Sequence, residues 1–507
     1  MSVTAASGTE SALGRRDMLV VFAGLLLAMF VSALDQTIMA TALPTIAGDL
    51  GGLSQLTWVV TVYVLAAAAT TPVWGKLSDQ FGRRGLLRAA VVTFLAGSAL
   101  SGVAQHLGEL IAFRTVQGVG AGGVMTVAMA TVGDIVAPRE RGRYQGYIQS
   151  VFVLASVAGP LLGGVFVDHL SWRWVFYVNV PIGVAALALL RRQPAPPARR
   201  AARVDYAGAG LLAAAVSAAL LVTVWGGDRY AWGSPEILGL VVAALALVAA
   251  FGWQERRAAE PVLPLRLFRD RVFVVVAVGA FLATLSLFAA IVFMPLFFQF
   301  VTGATATTSG LLVIPMLLAS TASTIASGRI MTRTGRYKIF PVIGFALMCL
   351  GLALLSTVDS GRGPAIGYLV VFGLGFGLTT QVLVVAIQNA VDRREIGTAT
   401  ASTNLFRALG GSLGVAVYGA AFSAGLRHWL PRHLPGGATG IDAHGIQAGP
   451  DRIRALPTAV QHGIAASVAD ALHAVFLTAA PVAALGFLVV LFLREHPLRT
   501  VITRPGG

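Results

Sequence analysis

The sequence predicts an all-α polytopic membrane protein: fourteen transmembrane helices, set out as two repeated six-helix bundles with an extra helix pair between them. Three observations carry this. Of 507 residues, 56% are hydrophobic and only 12% charged, with a mean hydropathy of +0.78, whereas soluble domains carry about 25% charged residues. Apolar stretches of about 20 residues, enough to cross roughly 30 Å of hydrocarbon as a helix, recur along the whole chain. Phrases from the first half also return, in order, about 253 residues later in the second.

In chain order the stretches are 18–41, 55–75, 86–104, 108–132, 144–167 and 173–191, then 206–226 and 236–254, then 272–300, 305–328, 339–356, 364–389, 396–424 and 468–493. The first is too long, and its Asp35 too polar, for a cleavable signal peptide, so it stays as a membrane helix. After the second comes GKLSDQFGRR (75–84), read as a tight inner turn, which pairs with GRIMTRTGRY (328–337). PRERGRYQG (138–146) is echoed by DRREIGTAT (392–400) at nearly the same offset. The repeat defines an N-terminal bundle, 1–192, and a C-terminal bundle, 272–507. Stretches 206–226 and 236–254 have no counterpart in it, so 193–271 reads as a linker carrying two inserted helices. The linker opens with RRQPAPPARRAAR and closes with ERRAAEPVLPLRLFRDR. The longest polar segment, about 427–466, is expected to be a flexible outer loop.

Net charge is +15, from 37 Lys and Arg against 22 Asp and Glu. With the N-terminus inside, most of the cations fall in or beside inner loops, and two, Arg114 and Arg407, fall inside helices. Cationic loops resist translocation, so this asymmetry places both termini in the cytoplasm and the chain in the inner (cytoplasmic) membrane. The basicity is thus a matter of topology. Nucleic-acid binding needs a soluble basic face, and no segment outside the membrane is large enough to build one. The single Cys349 excludes a disulfide framework and a Cys-based metal site, and no metal or other cofactor is expected. A GxxxxGK[ST] phosphate loop is missing, which argues against ATP as energy source. An enzyme would need a paired acid and base, an HExxH helix or a nucleophile with an oriented His. Instead His106, His169 and His473 fall near helix ends, and His428, His433, His444 and His462 in the outer loop. A sensor would need a soluble signalling domain, for which there is no room.

The remaining chemistry lies in a few polar residues at membrane depth. Asp35 is the acid in the middle of a membrane helix, where a lone carboxylate is expensive. Desolvation favours its neutral form, which would let it bind and release a proton as access alternates; the alternative is a permanently paired charge that holds helices together. Arg114 is its candidate partner, followed by Gln117, Gly118, Gly120, Gly122 and Gly123, whose missing side chains admit a close neighbouring helix. It too could be purely structural. At the inner face, Asp79 can cap a helix or pair with Arg83, and Gly75, Asp79, Gly82 and Arg83, with Asp134 and Arg141 at the end of the fourth stretch, could form a latch between the halves, or an ordinary basic loop. The repeat has Thr332 opposite Asp79 and Asn389 opposite Asp134, so a charged latch would be one-sided. Gly159, Pro160, Gly163 and Gly164 place kink-permitting residues inside a helix, as a hinge or as plain packing. Gln36, Trp58, Tyr63, Gln117, Phe293, Phe297, Phe298, Gln299, Gln381 and Asn404 could wall an apolar cavity with few polar anchors, although membrane aromatics also face lipid. Arg407 is the buried cation of the second half.

These motifs resemble the fourteen-helix drug:proton antiporters of the major facilitator superfamily, a group of multidrug efflux transporters. LDQTIMATALP looks like the group's first-helix signature, GKLSDQFGRR its loop between helices two and three, RTVQGVGAGG its helix-four motif and GPLLGG its antiporter helix. WRWVFYVNVPIG, PLRLFRDRVF and NLFRALGGSLGVAV are similar to it as well, so the likeness spans nearly the whole chain. The resemblance implies the major facilitator fold and proton-coupled export of lipophilic small molecules, such as drugs, antibiotics, dyes or a self-made metabolite, with antibiotic resistance as a consequence. It implies Asp35 as coupling carboxylate, Arg114 as its electrostatic partner, the proton as coupling ion and two bundles rocking about a central cavity. The chain is expected to work as a monomer in the bilayer. Proton-coupled uptake is the nearest rival, against which GPLLGG argues. Some relatives hold cationic drugs with acids in later helices; none is buried in this second half, so neutral or weakly charged substrates are expected.

Overall fold

The computed structural model describes residues 15–50, 56–136, 140–192, 205–227, 229–358, 361–392, 395–434, 457–495 and 497. Among them regular structure is helical. Thirteen helices are long and apolar enough to cross a membrane, and a fourteenth, Ile339–Leu355, is shorter. The first half comprises α1 (Arg15–Leu50), α2 (Leu56–Phe81), α3 (Arg83–Val103), α4 (Leu107–Ile135), α5 (Arg141–His169) and a broken sixth span, α6 (Trp174–Tyr177) with α7 (Asn179–Leu189). The inserted pair is α8 (Tyr206–Trp225) and α9 (Pro235–Arg257). The second half comprises α10 (Arg271–Leu296), the short α11 (Ala306–Leu311), α12 (Ile314–Thr334), α13 (Ile339–Leu355), α14 (Arg362–Ala390), α15 (Ile396–His433) and α16 (Thr458–Leu491).

Helix ends follow local chemistry. Asp205, Ser234, Asp270 and Thr305 each accept a bond from a backbone N–H of the following turn, capping α8, α9, α10 and α11. Residues 75–84, expected as a turn, are mostly helix: α2 runs through Phe81, and Gly82 alone, at φ 90°, reverses the chain into α3. Gly335 holds the matching place in the second half at φ 72°. Both backbone angles lie where a Cβ is strained, so glycine is required there.

The outer loop is also shorter than expected. α15 continues to His433 and α16 begins at Thr458, because Leu426 and Leu430 are buried while Trp429 stacks on His433. His428, His433 and His462 are therefore helical, and His473 lies well inside α16. His444 and the rest of 435–456 lie outside the described residues, as do Pro138, Arg139 and most of the basic linker entrance.

Two bundles form. In the first, α1 packs on α5 and α7, and α4 on α2 and α3; in the second, α10 packs on α15, α14 on α12 and α13, and α16 on α13 and α15. Each has its own apolar core, around Val21, Phe94 and Val127 in one and Phe273, Met294 and Phe476 in the other. The bundles meet where α2 lies on α15 and α5 on α12. Many cationic helix ends, among them Arg83 and Arg84, Arg256 and Arg257, Arg271 and Arg333, belong to one, basic face of the molecule, while Arg362 at the start of α14 and Arg432 at the end of α15 stand at the other.

The inserted pair is more than a spacer. α8 sits against both α2 and α15: Trp225 meets Trp58 edge to face, with centroids 5.7 Å apart, and the hydroxyls of Thr223 and Ser412 bond to each other. α9 lies outside α8 and exposes Leu238, Val242 and Leu245, as a lipid-facing helix must. Beyond α9 the chain returns across the basic face. Glu255 accepts from the N–H groups of Val262 and Leu263, Glu260 pairs with Lys76 of α2 at 3.0 Å, and Arg266 pairs with Glu395 before α15 at 2.5 Å.

Candidate functional site

Asp35 lies at mid-depth in α1 and is fully buried. Burying a carboxylate without partners is prohibitive, and three donors satisfy this one. Arg114 Nη1 donates to Oδ2 at 2.6 Å. Oδ1 accepts from Gln117 Nε2 at 2.8 Å and from Asn179 Nδ2 at 3.0 Å. Arg114, 1% exposed, spends its other donors on Gln117 Oε1 at 2.7 Å and the Val59 carbonyl at 3.3 Å. Its guanidinium stacks 4.1 Å above the Tyr63 ring, a favourable place for a desolvated cation. A second ring of partners holds the first: Asn179 also donates to Ser98 Oγ, which donates to the Phe176 carbonyl. Helices α1, α2, α3, α4 and α7 thus converge on one buried ion pair.

Glycines make that convergence possible. A Cβ on Gly118 would strike the Tyr63 carbonyl, and one on Gly122 the Ala67 carbonyl; Gly97 of α3 lies directly against the backbone of Gln117. On the other side, Gly159 and Gly163 of α5 seat Thr37 and Thr41 of α1, two and six residues beyond Asp35. Thr37 donates to the Ala155 carbonyl at 2.9 Å, just ahead of Pro160. Gly164 meets nothing within 4 Å and Pro160 is exposed, so only half of this motif packs on α1.

The residues of the expected latch also come together, Asp79 with Arg83 as expected, but their partners in the other bundle are ones the sequence did not name. Arg83 pairs within its own bundle, with Asp79 at 3.2 Å and Asp134 at 2.8 Å, and bonds the Ala130 carbonyl. Across the seam, however, charges meet backbone. Asp79 Oδ1 accepts from Gly397 N–H at 3.0 Å, and Oδ2 from Thr398 N–H at 2.7 Å and its hydroxyl at 3.0 Å. These are first-turn donors of α15, which has no cap from its own side chains, so a carboxylate of one bundle caps a helix of the other and meets its positive end. Arg141 donates to the Gln388 carbonyl at 3.2 Å and bonds the Gly133 and Val136 carbonyls. Gly75 permits the crossing, since its Cβ would meet Ala401 and the Gly397 carbonyl.

The expected cavity wall does not assemble from its candidates. Tyr63 and Gln117 belong to the Asp35 cluster. Phe293, Phe297 and Phe298 are 4%, 0% and 0% exposed, packed inside the second bundle because α10 is buried nearly all round, so they are core and not wall. Trp58 is half covered by Trp225, and Gln299 is taken up by Ser309. Gln36 is exposed, and Asn404 and Arg407 are half-buried on α15. Gln381 reaches across the seam to Gln149 at 3.2 Å. Beside it, Gln145, Thr324, Ser327, Gly328, Met331 and Val382 line a crevice too narrow to hold a water molecule. The site residues missed from sequence are Asn179, Ser98, Gln145, Gln149 and Gln388. Their signal was present as amides and a hydroxyl inside apolar spans, but at these depths such side chains are common.

Residues 25–415 match the Major Facilitator Superfamily. The chain is 40% identical to an uncharacterized MFS-type transporter of Mycobacterium tuberculosis, over 95% of this chain and 70% of the relative. It is 35% identical to the multidrug transporter protein MdtP of Bacillus subtilis, over 96% of this chain and 95% of the relative. Among solved structures it is similar to the proton:xylose symporter XylE, with a TM-score of 0.62 at 15% identity, covering 97% of this chain and 98% of that one. At that identity the likeness speaks for the fold, which is the one described above. With the family matched over most of its length, and fourteen apolar helices to carry it through a bilayer, the chain belongs to the major facilitator superfamily and is a multi-pass membrane transporter of small molecules, not an enzyme.

Proposed function

We propose that this transporter is a proton-coupled antiporter that exports lipophilic small molecules, with Asp35 as the coupling carboxylate and residues 1–192 and 272–507 as the two bundles that rock about the bound compound. The single observation that carries the reading is the fully buried Asp35–Arg114 pair, braced by Gln117 and Asn179. A charged carboxylate so placed needs all three donors in register. Protonation removes the charge that Arg114 answers, and the helices that converge on the pair can then shift against one another. Proton binding at this one atom group is thereby linked to the packing of α1 against α4 and α7.

The rest of the machinery fits this cycle. Asp79 capping α15, with Arg141 on Gln388, closes the basic face, which positive-inside topology assigns to the cytoplasm along with both termini. Opening that seam to admit a compound requires α15 to lose its cap, so the cap sets the balance between the two states. A driving force of roughly 150 mV is worth about 3.5 kcal/mol per proton, enough for accumulation on the order of 300-fold. No other coupling agent is needed, and one chain contains the whole cycle. The multidrug transporters among its relatives support export over uptake.

The test is transport in proteoliposomes under an imposed pH gradient, comparing wild type with Asp35→Asn on a panel of lipophilic antibiotics and dyes. Antiport predicts compound movement against the proton gradient, with proton release on compound binding, both lost in the variant while equilibrium binding is kept. Compound and proton moving in the same direction would mean uptake, and unchanged transport by the variant would remove Asp35 from the cycle.

A further inference from the structure

We propose that Arg407 receives an anionic group of the transported compound, so that the compounds handled best are lipophilic organic acids carrying one carboxylate. The proposal deepens the export reading by naming a substrate class. Of the two arginines placed inside membrane helices, Arg114 is answered in full by Asp35, Gln117 and Tyr63. Arg407, eleven residues or about 16 Å along α15 from its first residue, Ile396, is half-buried. Among the described residues it has no ion pair, hydrogen bond or ring contact.

The register of α15 turns Arg407 inward. At 100° per residue, Asn404, Arg407, Gly411 and Tyr418 form one stripe. Gly411 and Tyr418 of this stripe are buried, Gly411 against Phe288 of α10, whereas Leu413 and Val417 on the far side are exposed as lipid-facing residues are. Tyr418 supplies a second, independent sign. It is fully buried, yet its hydroxyl has no partner among the described residues. One stripe of one helix thus offers a cation and, about 16 Å further along, a hydroxyl, both unmatched by protein.

Holding a guanidinium at membrane depth is costly, and costly groups there mark substrate or ion pathways. No described acid is positioned to answer this one. Asp35 is saturated, and Asp470 of α16 faces His433 at 2.9 Å at the opposite end of the bundle. A planar guanidinium fork suits a carboxylate, and the low-dielectric surroundings strengthen the pair.

The experiment is equilibrium binding in nanodiscs, read by pyrene fluorescence, with pyrenebutyrate and its neutral amide as matched probes. Wild type, Arg407→Gln and Arg407→Lys are compared, each in chloride and in gluconate buffer. Wild type should bind the carboxylate about tenfold or more tightly than the amide, the scale of a charge-assisted bond. Arg407→Gln should bring the two within about twofold by lowering carboxylate affinity alone. If that variant fails to fold, Arg407→Lys decides, with a several-fold smaller preference and unchanged amide affinity. Equal affinity in wild type, no carboxylate binding, or a preference that both variants retain overturns the proposal. So does a response to chloride at Arg407 with no preference between the probes, which would make the site one for inorganic anions. Transport is scored separately: if a pH gradient moves neither probe, antiport fails while the binding preference still decides on Arg407.

Discussion

Thr398 donates twice to Asp79, through its backbone N–H at 2.7 Å and its hydroxyl at 3.0 Å, so a side chain of one bundle completes the first turn of a helix in the other. The two donors differ in what a mutation can remove. Asp79→Ala removes every bond across this point, whereas Thr398→Val removes only the hydroxyl. With each bond to a charged group worth about 1.5–3 kcal/mol, Asp79→Ala, which removes all three, should lower the population closed on the basic face by about a thousandfold or more, and Thr398→Val, which removes one, by about tenfold or more. Spin-label distances across that face would show it, in a background with Cys349, the chain's single cysteine, replaced. Equal effects of the two variants would mean that the backbone bonds contribute nothing to the closed state.

The Asp35–Arg114 pair should behave as a unit in stability. Removing one partner leaves a buried charge uncompensated, at about 3–5 kcal/mol, so Asp35→Asn and Arg114→Gln should each lower the melting temperature. The double variant should be less destabilised than the sum of the two. Additive losses in thermal melts of the purified protein would mean that the two groups are not coupled.

Asn179 should matter although it carries no charge. Its Nδ2 is shared between Asp35 and Ser98, so Asn179→Leu strands one acceptor on the carboxylate and another on the serine. About 2–4 kcal/mol of destabilisation is expected, with Ser98→Ala costing less because it leaves the bond to Asp35. A Leu variant that melts with wild type would show the amide to be dispensable.

The glycines of α5 separate into two kinds. Gly159→Ala forces a methyl group onto Thr37 and the backbone of Ile38, an overpacking of about 1–3 kcal/mol. Gly164→Ala meets open space and should be neutral or stabilising by up to about 1 kcal/mol through helix propensity. Melting temperatures of the two variants should therefore move in opposite directions or, at the least, far apart.

α8 should act as a clamp on the seam. Trp225 touches Trp58 in the first bundle and Thr223 bonds Ser412 in the second, so the double variant Trp225→Ala, Thr223→Val should free α2 and α15 to separate. Faster hydrogen exchange at the outer ends of both helices is the expected reading. Unchanged exchange would leave α8 as mere packing.

Much of this protein is determined by sequence alone, because a bilayer allows few solutions. Backbone polar groups must be satisfied within each span, so hydrophobic length is enough to define fourteen helices, and cation placement distinguishes their two ends. The repeat of GKLSDQFGRR and GRIMTRTGRY likewise carries its geometry, since Gly82 and Gly335 both adopt left-handed angles that only glycine takes without strain. Asp35 and Arg114 could be paired on paper, being opposite charges that hydrocarbon cannot leave apart.

What only the tertiary structure decided are the partners that have no side-chain signature. Asp79 could cap a helix or pair with Arg83 and does both, yet which helix it caps is not written in the sequence, because its partners across the seam are the N–H groups of Gly397 and Thr398, which every residue type but proline possesses. Asn179 looked like any polar residue in an apolar run until α7 brought it to Asp35. Phe293, Phe297 and Phe298 had the composition of a cavity wall, and burial made them core. In each case the pattern along one helix states what a residue can do, while the helix that packs against it, often more than a hundred residues away, selects which of those contacts is made.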